Sequence, residues 1–147
     1  MLGSTGKFMA NFKRIGLGVL TTIAVLAIFD VLPNPIPSSL VGFRILGYFY
    51  FWPAVGGAIV MFIAAFAGAY VAKVRFVIPA VVLAALFWAF VVYFLNSIAA
   101  VAGQNDLISV AGSNILGLIF GCLGAVFGAK LGLFAAGKRP NGATSAA

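Results

Sequence analysis

The chain has 147 residues, of which 64% are hydrophobic and 7% are charged, and its formal net charge is +7. An ordinary soluble domain carries about 25% charged residues, so this chain lacks the polar surface that a water-soluble core requires. A lipid bilayer removes that requirement, because the surface that faces lipid can be apolar. The composition therefore predicts a single-domain integral membrane protein.

The residue types also argue against several kinds of site. The chain contains no histidine and no glutamate, and its one cysteine is Cys122. Zinc, haem and iron–sulfur centres are held mainly by histidine, cysteine and carboxylate side chains, so we expect no metal and no cofactor. A catalytic thiol needs a base and access to water, so we interpret Cys122 as a packing residue. The basic residues lie at the edges of apolar segments, and we expect no nucleic-acid partner.

Four long apolar segments follow one another along the chain. They cover approximately residues 15–32, 49–72, 76–101 and 107–134. Each is close to the roughly 20 residues that a helix needs to cross a bilayer, and none has the alternating pattern of a β-barrel strand. The predicted fold is all-α: a polytopic membrane protein with four transmembrane helices arranged as two hairpins. Residues 135–147 are predicted to form a mobile cytoplasmic tail.

The first segment follows basic residues, as the apolar core of a secretory signal peptide does. A signal peptide ends in a small-x-small cleavage site, whereas this segment ends in the sequence Ile-Phe-Asp-Val-Leu-Pro. We therefore expect an uncleaved helix. Asp30, near its end, could pair with Arg44 across a proline-rich turn; such a surface ion pair is worth about 0–1 kcal/mol.

The basic residues predict the orientation of the helices. Eight of the nine lie before the first segment, between the second and third, or at the end of the fourth and beyond it: Lys7, Lys13, Arg14, Lys73, Arg75, Lys130, Lys138 and Arg139. With four crossings, all eight fall on one side of the membrane. Lysine and arginine concentrate in cytoplasmic loops, so both termini are predicted to be cytoplasmic.

The fourth segment carries a run of overlapping GxxxG pairs. At about 100° per residue its glycines project within an arc of about 80°, and that arc includes Asn114. These glycines are Gly117, Gly121, Gly124, Gly128 and Gly132. Small residues let helix backbones approach closely in a membrane, so this face is predicted to be a helix-packing interface. Replacing Gly121 or Gly124 by a large residue should push the helices apart.

The second segment is the first choice of partner for the glycine face. It carries a stripe of small residues at Gly57, Ala64 and Gly68. A helix of another subunit is the second choice. Either partner would bring two backbones into close contact through small side chains.

Several polar or amphipathic side chains interrupt the apolar segments. Thr21 and Thr22 can donate hydrogen bonds to carbonyls of their own helix. The amide of Asn114 is expected to bond another helix or water, and the indole N–H of Trp88 also needs a partner. The sequence alone leaves open whether these four residues contact protein, lipid, a cofactor or a pathway.

The sequence favours a non-catalytic role. We expect an integral membrane subunit that packs against other membrane proteins and stabilises or assembles a larger complex. The alternative is a small oligomeric transporter or channel, with a pathway lined by glycine backbone and by Asn114, Thr21 or Ser113. Its partners would then be lipid and copies of itself. The Ala- and Gly-rich composition and the distribution of basic residues suit a bacterial inner membrane.

The orientation can be tested by accessibility labelling. Single cysteines introduced at Ser4 and Ser145 should react with an impermeant thiol reagent only from the cytoplasmic side. A cysteine at Ser38 should react only from the opposite side, because it lies between the first two segments. Labelling of either terminus from outside would contradict a four-helix topology with cytoplasmic ends.

Overall fold

The computed structural model describes residues 3–31, 44–45, 49–101 and 106–137. Its elements in chain order are helix α1 (Gly3–Val31), strand β1 (Arg44–Ile45), strand β2 (Phe49–Tyr50), and helices α2 (Phe51–Ala72), α3 (Val77–Val101), α4 (Leu107–Ser113) and α5 (Ile115–Gly137). Helices α1, α2, α3 and α5 are long and apolar enough to cross a bilayer. The predicted all-α fold with four transmembrane helices is therefore confirmed.

Helix α1 begins earlier than the apolar pattern predicts. It has 29 residues and starts at Gly3, whereas the apolar segment starts at residue 15. A helix of this length extends about 43 Å, well beyond the roughly 30 Å of a hydrocarbon core. The apolar pattern identifies only the part of α1 that is hydrophobic enough to lie in lipid. The polar residues before it contain no proline, so the helix continues through them.

The second and third segments each start later than predicted. Phe49 and Tyr50 form β2, which pairs antiparallel with β1 through Arg44 opposite Tyr50. Aromatic side chains favour extended backbone, and α2 begins only at Phe51. Pro53 then occupies its first turn, where a proline is tolerated because no intrahelical N–H bond is required. Similarly, Phe76 precedes α3 instead of opening it.

The fourth segment is not one continuous helix. It divides at Asn114 into α4, of seven residues, and α5, of 23 residues. The Asn114 side chain donates through Nδ2 to the Val110 carbonyl at 2.9 Å, and its backbone N–H donates to the Ala111 carbonyl at 3.2 Å. Asparagine competes for backbone partners in this way, which makes it a poor helix-interior residue. Ser113 and Asn114 interrupt the apolar segment only briefly, so the length and overall composition of the segment do not reveal the break.

Helices α2 and α3 are joined by a tight turn. The Lys73 N–H donates to the Ala69 carbonyl at 3.0 Å, and Lys73 has a φ of 54°. A residue in the left-handed region after the last turn is a common way to end a helix, although glycine is the usual choice. The turn sends the chain back along the bundle and places Phe76 in its interior, where it is 0% exposed.

Helix α2 packs between α1 and α5, and α3 packs mainly against α5. The core between them is built mostly of alanine. Its fully or nearly fully buried apolar residues include Met61, Ala64, Ala65, Ala69, Ala72, Phe76, Ala80, Ala84, Ala125 and Ala129. Small side chains bring the helices close together, and most of the large apolar side chains of the four long helices therefore point outwards.

Two predictions fall wholly or partly outside the part of the chain that the structure describes. The ion pair between Asp30 and Arg44 depends on side chains outside it. Of the predicted tail, residues 138–147 also lie outside it, whereas residues 135–137 form the last part of α5.

Asp106 is the N-cap residue that precedes α4, and its substitution tests the local structure. Its Oδ1 accepts hydrogen bonds from the Ile108 N–H at 3.1 Å and from the Ser109 N–H at 3.2 Å. Asp106→Ala should destabilise α4 by about 1 kcal/mol, because it removes the N-cap acceptor. Asp106→Asn should have little effect, because asparagine caps equally well.

The measurement is hydrogen exchange at the Ile108 and Ser109 amides. Exchange should accelerate in the alanine variant and stay close to wild type in the asparagine variant. Equal acceleration in both variants would mean that the carboxylate charge, and not its capping geometry, stabilises the start of α4.

Candidate helix-packing site

Three glycines of α5 contact the backbone of α2 directly. A Cβ built on Gly124 would overlap the carbonyl oxygen of Ala58 and would lie 3.1 Å from its carbonyl carbon. In the same way, a Cβ built on Gly128 would overlap the carbonyl oxygen of Phe62, and a Cβ built on Gly132 would overlap that of Phe66. We call these three glycines the glycine ridge. The space for a side chain at each position is filled by α2 backbone.

The ridge also fixes the relative direction and register of the two helices. Each of its contacts joins residues that differ by a constant 66 positions. A constant difference means that α2 and α5 run parallel, with Gly132 level with Phe66. The glycine hydrogen that replaces Cβ points towards the carbonyl oxygen, which is the arrangement of a weak Cα–H···O bond. Such bonds and dispersion contacts stabilise helix pairs in lipid.

The other two glycines on the predicted face do not touch α2 backbone. A Cβ on Gly121 would lie 3.9 Å from the Met61 Cγ, and a Cβ on Gly117 would lie 3.5 Å from the Trp88 Cδ1. Both distances are ordinary contacts with side chains. Gly117 and Gly121 therefore leave space that an alanine could occupy.

The predicted partner face on α2 is corrected by the structure. Ala64 and Gly68 lie against α1 and not against the glycine ridge: the Ala64 carbonyl accepts a bond from Thr22 Oγ1 at 3.3 Å. A Cβ on Gly57 would meet nothing within 4 Å. Helix α2 needs two narrow faces because it packs between two neighbours. Ala64 and Gly68 of α2 face α1. At the other interface the glycines belong to α5, and they contact the carbonyl groups of α2.

The contact between α1 and α2 is a second close approach. A Cβ on Gly18 would lie 2.8 Å from the Gly68 carbonyl oxygen, and a Cβ on Gly68 would lie 2.8 Å from the Gly18 carbonyl oxygen. The Phe76 ring lies against both glycines. Thr22, which is 0% exposed, donates to the Gly18 carbonyl at 2.9 Å. The four-residue spacing of Gly18 and Thr22 is the small-xxx-small signal that could have identified this site.

A small cleft of about 110 Å³ lies between α2, α3 and α5. Its walls include Gly57, Met61, Trp88, Gly117 and Gly121. The residue that gives it a polar wall is the asparagine at the helix break, Asn114. Met61 is 2% exposed and packs in the alanine core beyond the cleft.

The helix break satisfies the two polar groups that the sequence leaves without partners. The Trp88 indole N–H donates to the Asn114 backbone carbonyl at 2.9 Å. The Asn114 side chain bonds within its own helix, through Val110 and through Ser113 Oγ at 3.3 Å. The expectation that Asn114 must bond another helix or water through its amide is therefore wrong. Its backbone makes the interhelical contact instead.

The remaining candidate residues do not converge on a catalytic arrangement. Thr21 Oγ1 donates to the Leu17 carbonyl at 2.9 Å, and Ser113 Oγ donates to the Val110 carbonyl at 3.0 Å. Cys122 is half-buried and packs against the alanine core. Within residues 3–31, 44–45, 49–101 and 106–137, no group of three or more His, Cys, Asp or Glu could hold a metal ion.

Lys130 lies deeper along the bundle than the sequence pattern places it. The apolar segment ends at residue 134, but α5 continues to Gly137. Through the register of the glycine ridge, Lys130 is level with Ala64, which is eight residues before the end of α2. Its side chain is exposed, so it faces away from the bundle among apolar side chains.

The glycine ridge predicts different effects for matched substitutions one turn apart. Gly124→Ala should destabilise the bundle by about 1–3 kcal/mol, because the new methyl group meets the Ala58 carbonyl and the helices must separate. Gly121→Ala should be neutral or stabilising by up to about 1 kcal/mol, because the site has space and alanine favours helix. The measurement is the free energy of unfolding in mild detergent. Equal losses in both variants would contradict the assigned contacts.

Comparison with known proteins yields no match: no family profile fits the chain, and no similar chain is found among curated proteins or solved structures.

Proposed function

We propose that this chain is a non-catalytic integral membrane subunit that packs against another membrane protein and stabilises or assembles a larger complex. The observation that carries the proposal is a patch on the outward face of α3. Small exposed residues surround one exposed tyrosine there. The patch consists of Ala89, Tyr93, Ser97 and Ala100, which at about 100° per residue share an arc of about 80°. We call these four residues the α3 patch.

The α3 patch has the features of a helix-packing face. Its small residues would let a partner backbone approach closely. The Ser97 hydroxyl donates to the Tyr93 carbonyl at 2.9 Å, so its polarity is satisfied within α3. The Tyr93 side chain is 69% exposed and lies eight residues, about 12 Å, from the end of α3. A hydrogen-bond acceptor on a partner helix would stabilise its hydroxyl at this depth.

The outward face of α5 differs from the α3 patch. It carries large exposed apolar side chains at Ile119, Leu123, Phe127 and Phe134. Such side chains suit contact with lipid tails and would hold a partner backbone at a distance. Large exposed apolar side chains also lie on α3, among them Ile78, Leu86 and Phe90, so only the local α3 patch, and not the whole helix, is proposed to meet another protein.

The packed interior supports a structural role over the transporter alternative. Ala65, Ala69 and Ala129 are almost completely buried, and Met61 fills the space next to the cleft. The hydroxyls proposed to line a pathway, those of Thr21 and Ser113, bond to their own helices. A transport pathway would therefore have to run between copies of the chain, so the transporter reading requires a homo-oligomer.

We place the protein in a bacterial inner membrane, with lipid and other integral membrane subunits as its partners and with no cofactor. The Ala- and Gly-rich composition and the concentration of basic residues on one predicted side support this placement.

The proposal is tested by site-specific photo-crosslinking in native membranes. In a Cys122→Ser background, Ser97→Cys is labelled with a benzophenone maleimide, and Leu123→Cys on α5 serves as the matched control. Irradiation should join Ser97→Cys to a different membrane protein and should join Leu123→Cys mainly to lipid. Mass measurement of the gently extracted particle should give more than the 15.2 kDa of one chain, with a second protein present.

A particle that contains only copies of this chain would contradict the subunit proposal and favour the transporter. Equal crosslinking from both positions would contradict the assignment of the α3 patch. A bulky variant gives an independent readout. Ala89→Leu should weaken the complex by about 1–3 kcal/mol through overpacking while leaving the chain folded, because Ala89 is exposed in the bundle.

A further inference from the structure

The cleft between α2, α3 and α5 is open because glycines stand where the structure has room for larger side chains. A Cβ on Gly117 would lie 3.5 Å from the Trp88 Cδ1, and a Cβ on Gly121 would lie 3.9 Å from the Met61 Cγ. Trp88 and Met61 both line the cleft, so each added methyl group would enter it at an ordinary contact distance.

The packing of the chain does not require glycine at these positions. The glycine ridge is different, because its three members contact α2 backbone. Glycine in a helix interior is destabilising relative to alanine, so the cleft is kept open at a cost to α5. Gly57 on α2 also lines the cleft, and a Cβ there would meet nothing within 4 Å.

The cleft has a polar end and an apolar end. Asn114 directly precedes α5 and lies at the end of the bundle where the parallel helices α2 and α5 begin. Met61 is ten residues after the first residue of α2, or about 15 Å into the bundle. The walls between them are apolar or glycine. This arrangement suits a molecule with one polar end and a hydrocarbon body.

The polar end can accept a hydrogen bond. The Asn114 Nδ2 already donates to the Val110 carbonyl at 2.9 Å and to the Ser113 Oγ at 3.3 Å. The Trp88 indole N–H is also engaged, at the Asn114 carbonyl. Among the residues that the structure describes, none donates to the Asn114 Oδ1. A ligand that donates an O–H is therefore favoured over one that only accepts.

The size of the cleft limits the ligand to a small molecule. Its volume of about 110 Å³ exceeds the roughly 30 Å³ of one water molecule and is below the roughly 150 Å³ of a cavity that takes benzene. About five or six non-hydrogen atoms can therefore occupy it. No charged side chain lines the cleft, so the ligand should be neutral.

We infer that this cleft binds a short straight-chain alcohol. The hydroxyl donates to the Asn114 Oδ1, and the hydrocarbon chain extends past Gly117 and Gly121 towards Met61. The α3 patch has no part in this site, because the α3 residues that line the cleft are Ala84, Phe87, Trp88 and Val91. The inference is independent of the proposed subunit role.

The test uses Trp88 fluorescence of the full chain in mild detergent. The chain has two tryptophans, so Trp52→Phe leaves Trp88 as the only one. The protein is titrated with straight-chain alcohols from ethanol to 1-octanol. Affinity should rise about fourfold for each added CH₂ up to approximately 1-pentanol and then stop rising, because the cleft ends at Met61. Partitioning into detergent has no such limit.

Butyl methyl ether is the matched control for the hydroxyl. It has the same molecular formula as 1-pentanol but no O–H to donate. It should bind about fivefold to tenfold more weakly than 1-pentanol, which is the effect of one lost hydrogen bond. Equal affinities for the two isomers would overturn the assigned role of Asn114 and with it the inference.

Two alanine variants test the position of the ligand. Gly121→Ala adds a methyl group next to Met61 and should move the limit to a shorter alcohol. Gly16→Ala adds the same group to α1, where a Cβ meets nothing within 4 Å, and should leave the limit unchanged. The inference is wrong if affinity rises without a limit to 1-octanol, or if the limit is the same in both variants. All measurements use the isolated chain, so their failure is distinguishable from failure of the subunit proposal.

Discussion

The direct contact between the α5 backbone and the α2 carbonyls determines how the rest of the bundle is arranged. Lipid gives helices no hydrophobic reason to associate, so close packing and weak polar contacts must hold them together. Gly124, Gly128 and Gly132 provide this contact at three successive turns. Because their partners are evenly spaced carbonyl groups, both the separation and the register of the two helices are fixed.

Two polar features of α5 lie outside the glycine ridge. At the start of α5, the Asn114 carbonyl at the break accepts from the Gly117 N–H at 2.9 Å and also from the Trp88 indole N–H at 2.9 Å. The bond from Trp88 ties α3 to α5 where the cleft lies between them. Further along, seven residues before the end of α5, the register sets Lys130 level with Ala64 and leaves it outside the packed core. A shift of α5 by one turn would alter both positions.

The sequence predicts the number of membrane crossings because lipid imposes a length and an apolar composition on every crossing helix. It also places the glycines of α5 on one face, since helix geometry alone decides this. The sequence does not identify which small residues of two helices contact each other. Helix α2 has one narrow face towards α1 and another towards α5, and hydropathy does not distinguish the two faces. The break at Asn114 and the depth of Lys130 are missed for a related reason. An apolar segment ends where polar residues begin, which need not be where the helix ends.

A bundle packed through glycine and alanine has a further consequence for function. Apart from the cleft at Asn114, its interior is occupied, so residues that act on other macromolecules must lie on its outer surface. Two features of that outer surface belong to different parts of the bundle. An apolar groove is formed by α2 and α5 without any residue of α3, and the patch around Tyr93 is on α3. A protein that binds the α3 patch would therefore leave the backbone contact between α2 and α5 undisturbed.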